Sequence, residues 1–261
     1  MATLTRMPIC WKDSSSPGPT ATWWSSGSTC RRREGGQVTD YTTPHWDAAA
    51  LVVVDLQRDF LDDGVSAIPG TSAVVPRIAA LAAAFRAAGK PIAHVVRLYE
   101  PGGSDVDLPR RRMVEEGAQI AAPGSDGAQI ADGAIPGGVR LDSAALLSGR
   151  LQHVGSREVI VFKPRWSGFY RTGLEEWLRQ ERCDTVVVAG CNLPNCPRAT
   201  LFDASERDLR TVLVADAVSQ TSEERLADLE RIGVHLSTTE SVARALAGLP
   251  DDGGVPPQAN V

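Results

Sequence analysis

The run from Val186 to Thr200 constrains this chain most. It is a β-branched stretch, Val186-Val187-Val188-Ala189, that breaks at Gly190 and continues Cys191-Asn192-Leu193-Pro194-Asn195-Cys196-Pro197-Arg198-Ala199-Thr200. A short continuous apolar run bounded by turn residues reads as a strand covered on both faces. The sharp turn after it delivers Cys196 where a helix begins. The first N–H groups of a helix have no intrahelical partner, and the positive end of its dipole lies there. Both favour thiolate over thiol, and the thiolate is the nucleophile. The same donors can hold an oxyanion that forms one bond away. The expectation is a strand–turn–helix unit presenting a nucleophilic cysteine at the rim of a sheet.

The rest of the chain repeats this strand-then-helix rhythm. Ala49 to Asp55, Pro91 to Arg97, Glu158 to Lys163, Asp184 to Ala189, Thr211 to Ala215 and Val234 to Ser237 read as six strands. Helices are expected over Pro76 to Ala88 (stopped by Gly89), Thr172 to Arg182, Cys196 to Asp208, Ser222 to Ile232 and Glu240 to Ala247. Strands alternating with helices through short links predict an α/β fold. Its core is a doubly wound, mainly parallel six-stranded sheet with helices on both faces, a Rossmann-like three-layer arrangement. Between Glu100 and Gly149 the pattern loosens into Gly, Pro, Ser and Asp clusters, read as an elaborate loop region or a lid. Residues 1–40, rich in Ser, Gly, Thr and Arg, read as a disordered extension. Residues 41–249 form the expected domain, and residues 250–261 a flexible tail.

Composition narrows the function classes. At 261 residues with 43% hydrophobic and 23% charged residues, one large globular domain is expected. A net charge of −5 provides no basic footprint for nucleic acid, and no apolar run approaches a membrane span. Five cysteines at irregular spacing form no disulfide framework, which points to a reducing cytoplasm. Gly102-Gly103 and Gly137-Gly138 lack the strand-to-helix setting of a phosphate loop, so no nucleotide cofactor is expected.

In an open parallel sheet, ligands bind beyond the carboxyl ends of the strands. Three polar residues end or follow apolar strands: Asp55, Lys163 and Cys196. An acid, a base and a thiol in one crevice make a self-consistent nucleophile, with Lys163 favouring both anions and Asp55 accepting the thiol proton. Each has a plainer reading. Cys196 alone is a small buried hydrophobe, Lys163 alone snorkels at a sheet edge, and Asp59 competes with Asp55 as the acid. Cys191 reads as structural, because its spacing to Cys196 lacks partner ligands for a metal. Trp166, Phe169 and Tyr170 either wall a substrate pocket or anchor the next helix. Arg97 and Tyr99 end the second strand near the same edge, where Arg97 is a candidate for a polar substrate group. His94, inside an apolar strand, reads as a hydrogen-bonded core histidine.

Three segments together resemble a known family. Val53-Val54-Asp55-Leu56-Gln57-Arg58-Asp59-Phe60, then Phe162-Lys163-Pro164-Arg165-Trp166-Ser167-Gly168-Phe169-Tyr170, then Gly190 to Thr200 look like the three motifs of the isochorismatase-like cysteine hydrolases. The resemblance covers about Thr42 to Leu249. It implies a Cys–Asp–Lys triad of Cys196 as nucleophile, Asp55 as general base and Lys163 as electrostatic partner. It also implies a cis peptide at Cys191–Asn192 and an oxyanion hole formed by the backbone N–H groups of Asn192 and Cys196. The implied activity is hydrolysis of an amide, ureido or related C–N bond of a small molecule through a thioester, without a cofactor. The alternatives are vinyl ether hydrolysis of an isochorismate-like substrate and a silent small-molecule-binding module. Relatives of the vinyl ether type generally lack the cysteine. Many relatives carry threonine where Leu193 stands, which makes Leu193 a candidate determinant of substrate. The metal-binding branch uses an aspartate with histidines, whereas His94 to Asp107 offers a lone histidine, so no metal is expected. Assembly into a dimer or tetramer is implied by the same likeness.

Overall fold

The computed structural model describes residues 40–103 and 105–249. The expected N-terminal extension, apart from Asp40, and the expected C-terminal tail lie outside the described residues. The elements run β1 (Ala49–Val54), α1 (Thr71–Ala87), β2 (Ile92–Val96), α2 (Leu108–Glu115), α3 (Ser143–Leu147), β3 (Gln152–Gly155) and β4 (Glu158–Phe162). They continue α4 (Leu174–Gln180), β5 (Thr185–Gly190), α5 (Cys196–Ser205), β6 (Arg210–Val218), α6 (Glu223–Arg231), β7 (His235–Ser237) and α7 (Thr239–Leu246). The sheet order is β3-β4-β2-β1-β5-β6-β7. All neighbours are parallel except β3 against β4.

The six expected strands are present, and a seventh, β3, corrects the strand number. Its side chains alternate between half-buried and exposed and it ends at Gly155, so it lacks the continuous apolar signal of the central strands. The Glu100–Gly149 region also contains two helices, the polar α2 and the five-residue α3, neither of which stands out by periodicity. α1 starts five residues before Pro76, which sits inside the helix. Proline forfeits one i→i−4 hydrogen bond there, which makes it resemble a helix start.

Alternation along β1 splits the core. Ala49, Leu51 and Val53 pack with Ile78, Leu81 and Phe85 of α1 and Val242 of α7. Ala50, Val52 and Val54 pack with Trp177 and Leu178 of α4, Leu201 of α5 and Leu229 of α6. Each such fully buried large side chain contributes about 1.5–3 kcal/mol relative to exposure. From β1 the sheet grows through β2 and β4 on one side and from β5 through β6 to β7 on the other. The winding direction therefore changes between β1 and β5, and a crevice opens beyond the carboxyl ends of those two strands.

Candidate active site

Four strand ends supply the groups around this crevice. Asp55 follows β1 in the left-handed region (φ 51°), a conformation that aspartate tolerates better than most residues. Its N–H donates to the Val95 carbonyl at 2.8 Å, which ties the end of β1 to β2. Lys163 follows β4 and is fully buried. Arg97 follows β2. At the end of β5, Gly190 has φ 126°, and a Cβ there would run into the Val54 carbonyl. Only glycine lets the chain pass so close, and the Cys191 N–H then donates to that carbonyl at 2.9 Å. The Cys191–Asn192 peptide bond is cis. Cys196 is the first residue of α5, with Pro197 behind it and no side-chain cap from Asn195.

The structure brings the three motif residues together. Lys163 Nζ donates to Asp55 Oδ2 at 2.8 Å and to the Arg165 carbonyl at 3.2 Å. Asp55 Oδ1 is buried without a partner, leaving an acceptor open, and the Cys196 thiol interacts with this carboxylate. Burial and the Asp55 charge push the Cys196 thiol up, outweighing Lys163 and Arg97, which pull it down. This direction runs against the thiolate expected from the helix terminus. Cys191 nearby accepts from Thr71 Oγ1 at 3.4 Å, and burial pushes its thiol up to about 12.

Asp55, Arg97, Asn192 and Cys196 line a cavity of about 240 Å³, walled by Phe60, Ile68, Pro109, Arg110, Met113 and Trp166. Trp166 thus stands in the wall, with Nε1 donating to Asp107 Oδ2 at 3.4 Å. Phe169, Tyr170 and Leu193 do not line it. Phe169 is buried in the α4–α5 core beneath the Arg207 guanidinium (5.0 Å). Tyr170 is half exposed, and Leu193 is buried with its N–H on the Ser219 carbonyl at 2.9 Å. These three depart from the pocket expectation: Phe169 and Leu193 go to the core and Tyr170 to the surface. His94 is also remote from the cavity lining, with Nε2 2.7 Å from Glu158 Oε1. A larger, more open cleft of about 680 Å³ runs past Arg58 and Asp63, but no thiol lines it and Arg58 is neutralised by Asp126 and Asp132.

Three functional neighbours were missing from the sequence reading. Asp107 accepts from Arg97 Nη1 at 2.8 Å and from the Tyr99 hydroxyl at 2.9 Å. Burial alone would raise its carboxyl, but Arg97 and these donors hold it below the usual range. Gln57 accepts from the Arg97 N–H at 2.7 Å and donates to the carbonyls of Arg97 (2.8 Å) and Ala128 (2.7 Å). Arg110, on α2, reaches the Ser66 hydroxyl at 3.2 Å and lies 5.8 Å from the Phe60 ring. Gln57 was visible inside the first motif; Asp107 and Arg110 sit in the loosely patterned insertion, where no periodicity marks them.

A model of the isochorismatase domain matches residues 49–241. A probable inactive nicotinamidase of Arabidopsis thaliana is 29% identical over 77% of this chain and 98% of its own length. A ureidoacrylate amidohydrolase of Methylobacterium radiotolerans is 29% identical over 80% of this chain and 81% of its own. Among solved structures, an isochorismatase family protein from Desulfovibrio vulgaris superposes with a TM-score of 0.66. It is 31% identical, over 77% of this chain and 98% of that one. Among the described residues no helix is long and apolar enough to cross a membrane.

Proposed function

The chain belongs to the isochorismatase family, and from that premise we propose that it is a cysteine-dependent hydrolase of a C–N bond in a small amide or ureido compound. The observation that carries this reading is the buried Asp55 carboxylate. One oxygen is bound by Lys163 at 2.8 Å, and the other is unpartnered in the cavity that holds the Cys196 thiol. A base with a free oxygen next to a protonated nucleophile is what proton abstraction requires.

In the proposed cycle Asp55 takes the proton from the Cys196 thiol as the sulfur attacks the substrate carbonyl carbon. The tetrahedral oxyanion rests on the backbone N–H groups of Asn192 and Cys196, neither of which donates to another backbone carbonyl among the described residues. Donors of this kind typically contribute ~2.7–4 kcal/mol each to the transition state. Asp55 then passes its proton to the departing amine or ammonia, which leaves a thioester. Water, deprotonated by Asp55, cleaves the thioester and restores the thiol and the carboxylate.

The cavity also favours an anionic substrate. Lys163, Arg97 and Arg110 face two carboxylates, Asp55 and Asp107, and Arg110 has no carboxylate within ion-pair distance among the described residues. The amidohydrolase relative is named for ureidoacrylate, a carboxylate-bearing ureido compound. The probable inactive nicotinamidase of the plant prompts a second reading, a silent binding module; the assembled acid, thiol and ammonium argue against it here.

The test is a screen of primary amides, ureido acids and lactams for ammonia or amine release, run beside Cys196→Ala and Cys196→Ser. Turnover is expected in the native protein and lost in both variants with the circular dichroism spectrum unchanged. An acyl-enzyme is expected by intact mass under rapid quench. Undiminished turnover in Cys196→Ala removes the nucleophile assignment.

A further inference from the structure

We propose that Arg97 is itself a catalytic residue, the cation that receives the negative charge when it moves onto the Cys196 sulfur, and that Asp107 and Tyr99 are its positioning residues. The inference rests on the reading of Cys196 as nucleophile and adds a fourth group to the three motif residues.

The geometry separates this role from substrate binding. Arg97 is 3% exposed. Its Nη1 is held by Asp107 Oδ1 at 2.8 Å, its Nη2 lies 3.4 Å from Cys196 Sγ, and its Nε lies 3.8 Å from Asp55 Oδ2. Its three nitrogens are thus turned to the positioning carboxylate, the nucleophile and its base, respectively, which sets the fork on the reacting groups. The side chain is fixed from behind as well. The Tyr99 hydroxyl donates to the same Asp107 oxygen at 2.9 Å, and Trp166 Nε1 reaches the other at 3.4 Å. The Arg97 backbone is clamped by Gln57 through both its N–H and its carbonyl.

The charges explain why a buried guanidinium is kept there. In the resting site the negative charge is on Asp55, and Lys163 neutralises it at 2.8 Å. When the thiol proton moves to Asp55, the electron pair of the S–H bond stays on sulfur. Lys163 remains beside the now neutral carboxyl. Arg97 already spans both locations, within 4 Å of each, so it follows the charge without reorganising. A buried ion pair is weak evidence for stability, since apolar residues of similar volume often serve as well. Its placement against a sulfur is the functional argument. The titratable or charged groups around Cys196 are Asp55 after β1, Arg97 after β2, Asp107 and Arg110 at the start of α2, Lys163 after β4 and the Cys191 thiol after β5. Of the two cations beside Asp55, Lys163 and Arg97, only Arg97 lines the cavity with Cys196.

The experiment is alkylation of Cys196 by iodoacetamide as a function of pH, with peptide mapping to separate it from the other cysteines. It compares the native protein, Arg97→Met, Arg97→Lys and the charge-neutral pair Arg97→Met with Asp107→Asn. That pair keeps the proposal testable if a lone buried Asp107 unfolds Arg97→Met. Loss of the cation beside sulfur disfavours thiolate, so the midpoint is expected to rise by about one unit or more, a roughly tenfold slower reaction at neutral pH. The double variant is expected to rise as well, although its net charge equals the native value. Arg97→Lys is expected to fall between. Superimposable pH profiles in folded variants overturn the proposal. So does a raised KM with unchanged thiol reactivity, which would put Arg97 on the substrate. Either result leaves Cys196-dependent turnover standing, and only the Cys196 variants test that.

Discussion

Two buried charge clusters sit on the same strands and do different things. On the α1 side of the sheet, Glu158 binds Arg86 through both oxygens at 2.7 and 2.9 Å and His94 Nε2 at 2.7 Å. At the carboxyl ends, Asp55, Lys163, Arg97 and Asp107 surround a thiol. Both are desolvated. In the first, both carboxylate oxygens are taken, by Arg86 and His94. In the second, one carboxylate oxygen is left open in a cavity with a nucleophile. Perturbed acidity is therefore a poor guide to chemistry by itself. An unsatisfied acceptor next to a reactive atom is the better one.

Substitutions break the comparison at different strengths. Asp55→Asn removes the base and is expected to lower kcat/KM by about 10²–10⁴, measured on whichever substrate the screen identifies. It also leaves Lys163 without its counter-ion, so a lower melting temperature accompanies the loss. Phe169→Ala is expected to cost about 3–5 kcal/mol in denaturant unfolding with kcat/KM of the folded protein nearly unchanged, because this ring fills the core. A large rise in KM would instead return it to the pocket.

Glu158→Gln sharpens the contrast: a loss of about 3 kcal/mol of stability with no effect on turnover. The pH dependence has a defined sign. Burial would raise the Glu158 carboxyl, yet Arg86 and His94 hold it down at about 2. Its contribution is complete above the unfolded carboxyl value of ~4.3 and disappears as pH falls towards 2. Acid unfolding of the variant is therefore expected to be flatter across that interval than that of the native protein. The smallest effect is at the cavity mouth. Arg110→Gln is expected to raise KM several-fold, about 1 kcal/mol, for carboxylate-bearing substrates and to leave neutral amides alone. Equal effects on both substrate types would remove the anion preference.

The sequence was most legible where burial is most complete. Central strands covered on both faces are continuous apolar runs, so their last residues, and hence Asp55, Lys163 and the Cys196 turn, could be read directly. β3 was invisible because a half-exposed edge strand has no such run. Arg97 was noticed, but its strand-end position alone does not say whether its donors point at a ligand or at a sulfur. Asp107 owes its importance to Arg97 rather than to local pattern. The burial that pushes the Cys196 thiol up was hidden for a related reason: a helix terminus is visible in sequence, whereas desolvation depends on everything packed around the sulfur.

Gln57 has a mechanical consequence. By offering an acceptor and a donor to the N–H and carbonyl of one residue, its amide imitates a neighbouring strand and prolongs the sheet ladder past Val96. The chain leaving β2 is thereby stapled flat through Arg97. Beyond the staple the chain takes up left-handed backbone at Gly102 and Gly103, with φ values of 87° and 72°. The guanidinium at the sulfur is thereby anchored from its own main chain as well as through Asp107.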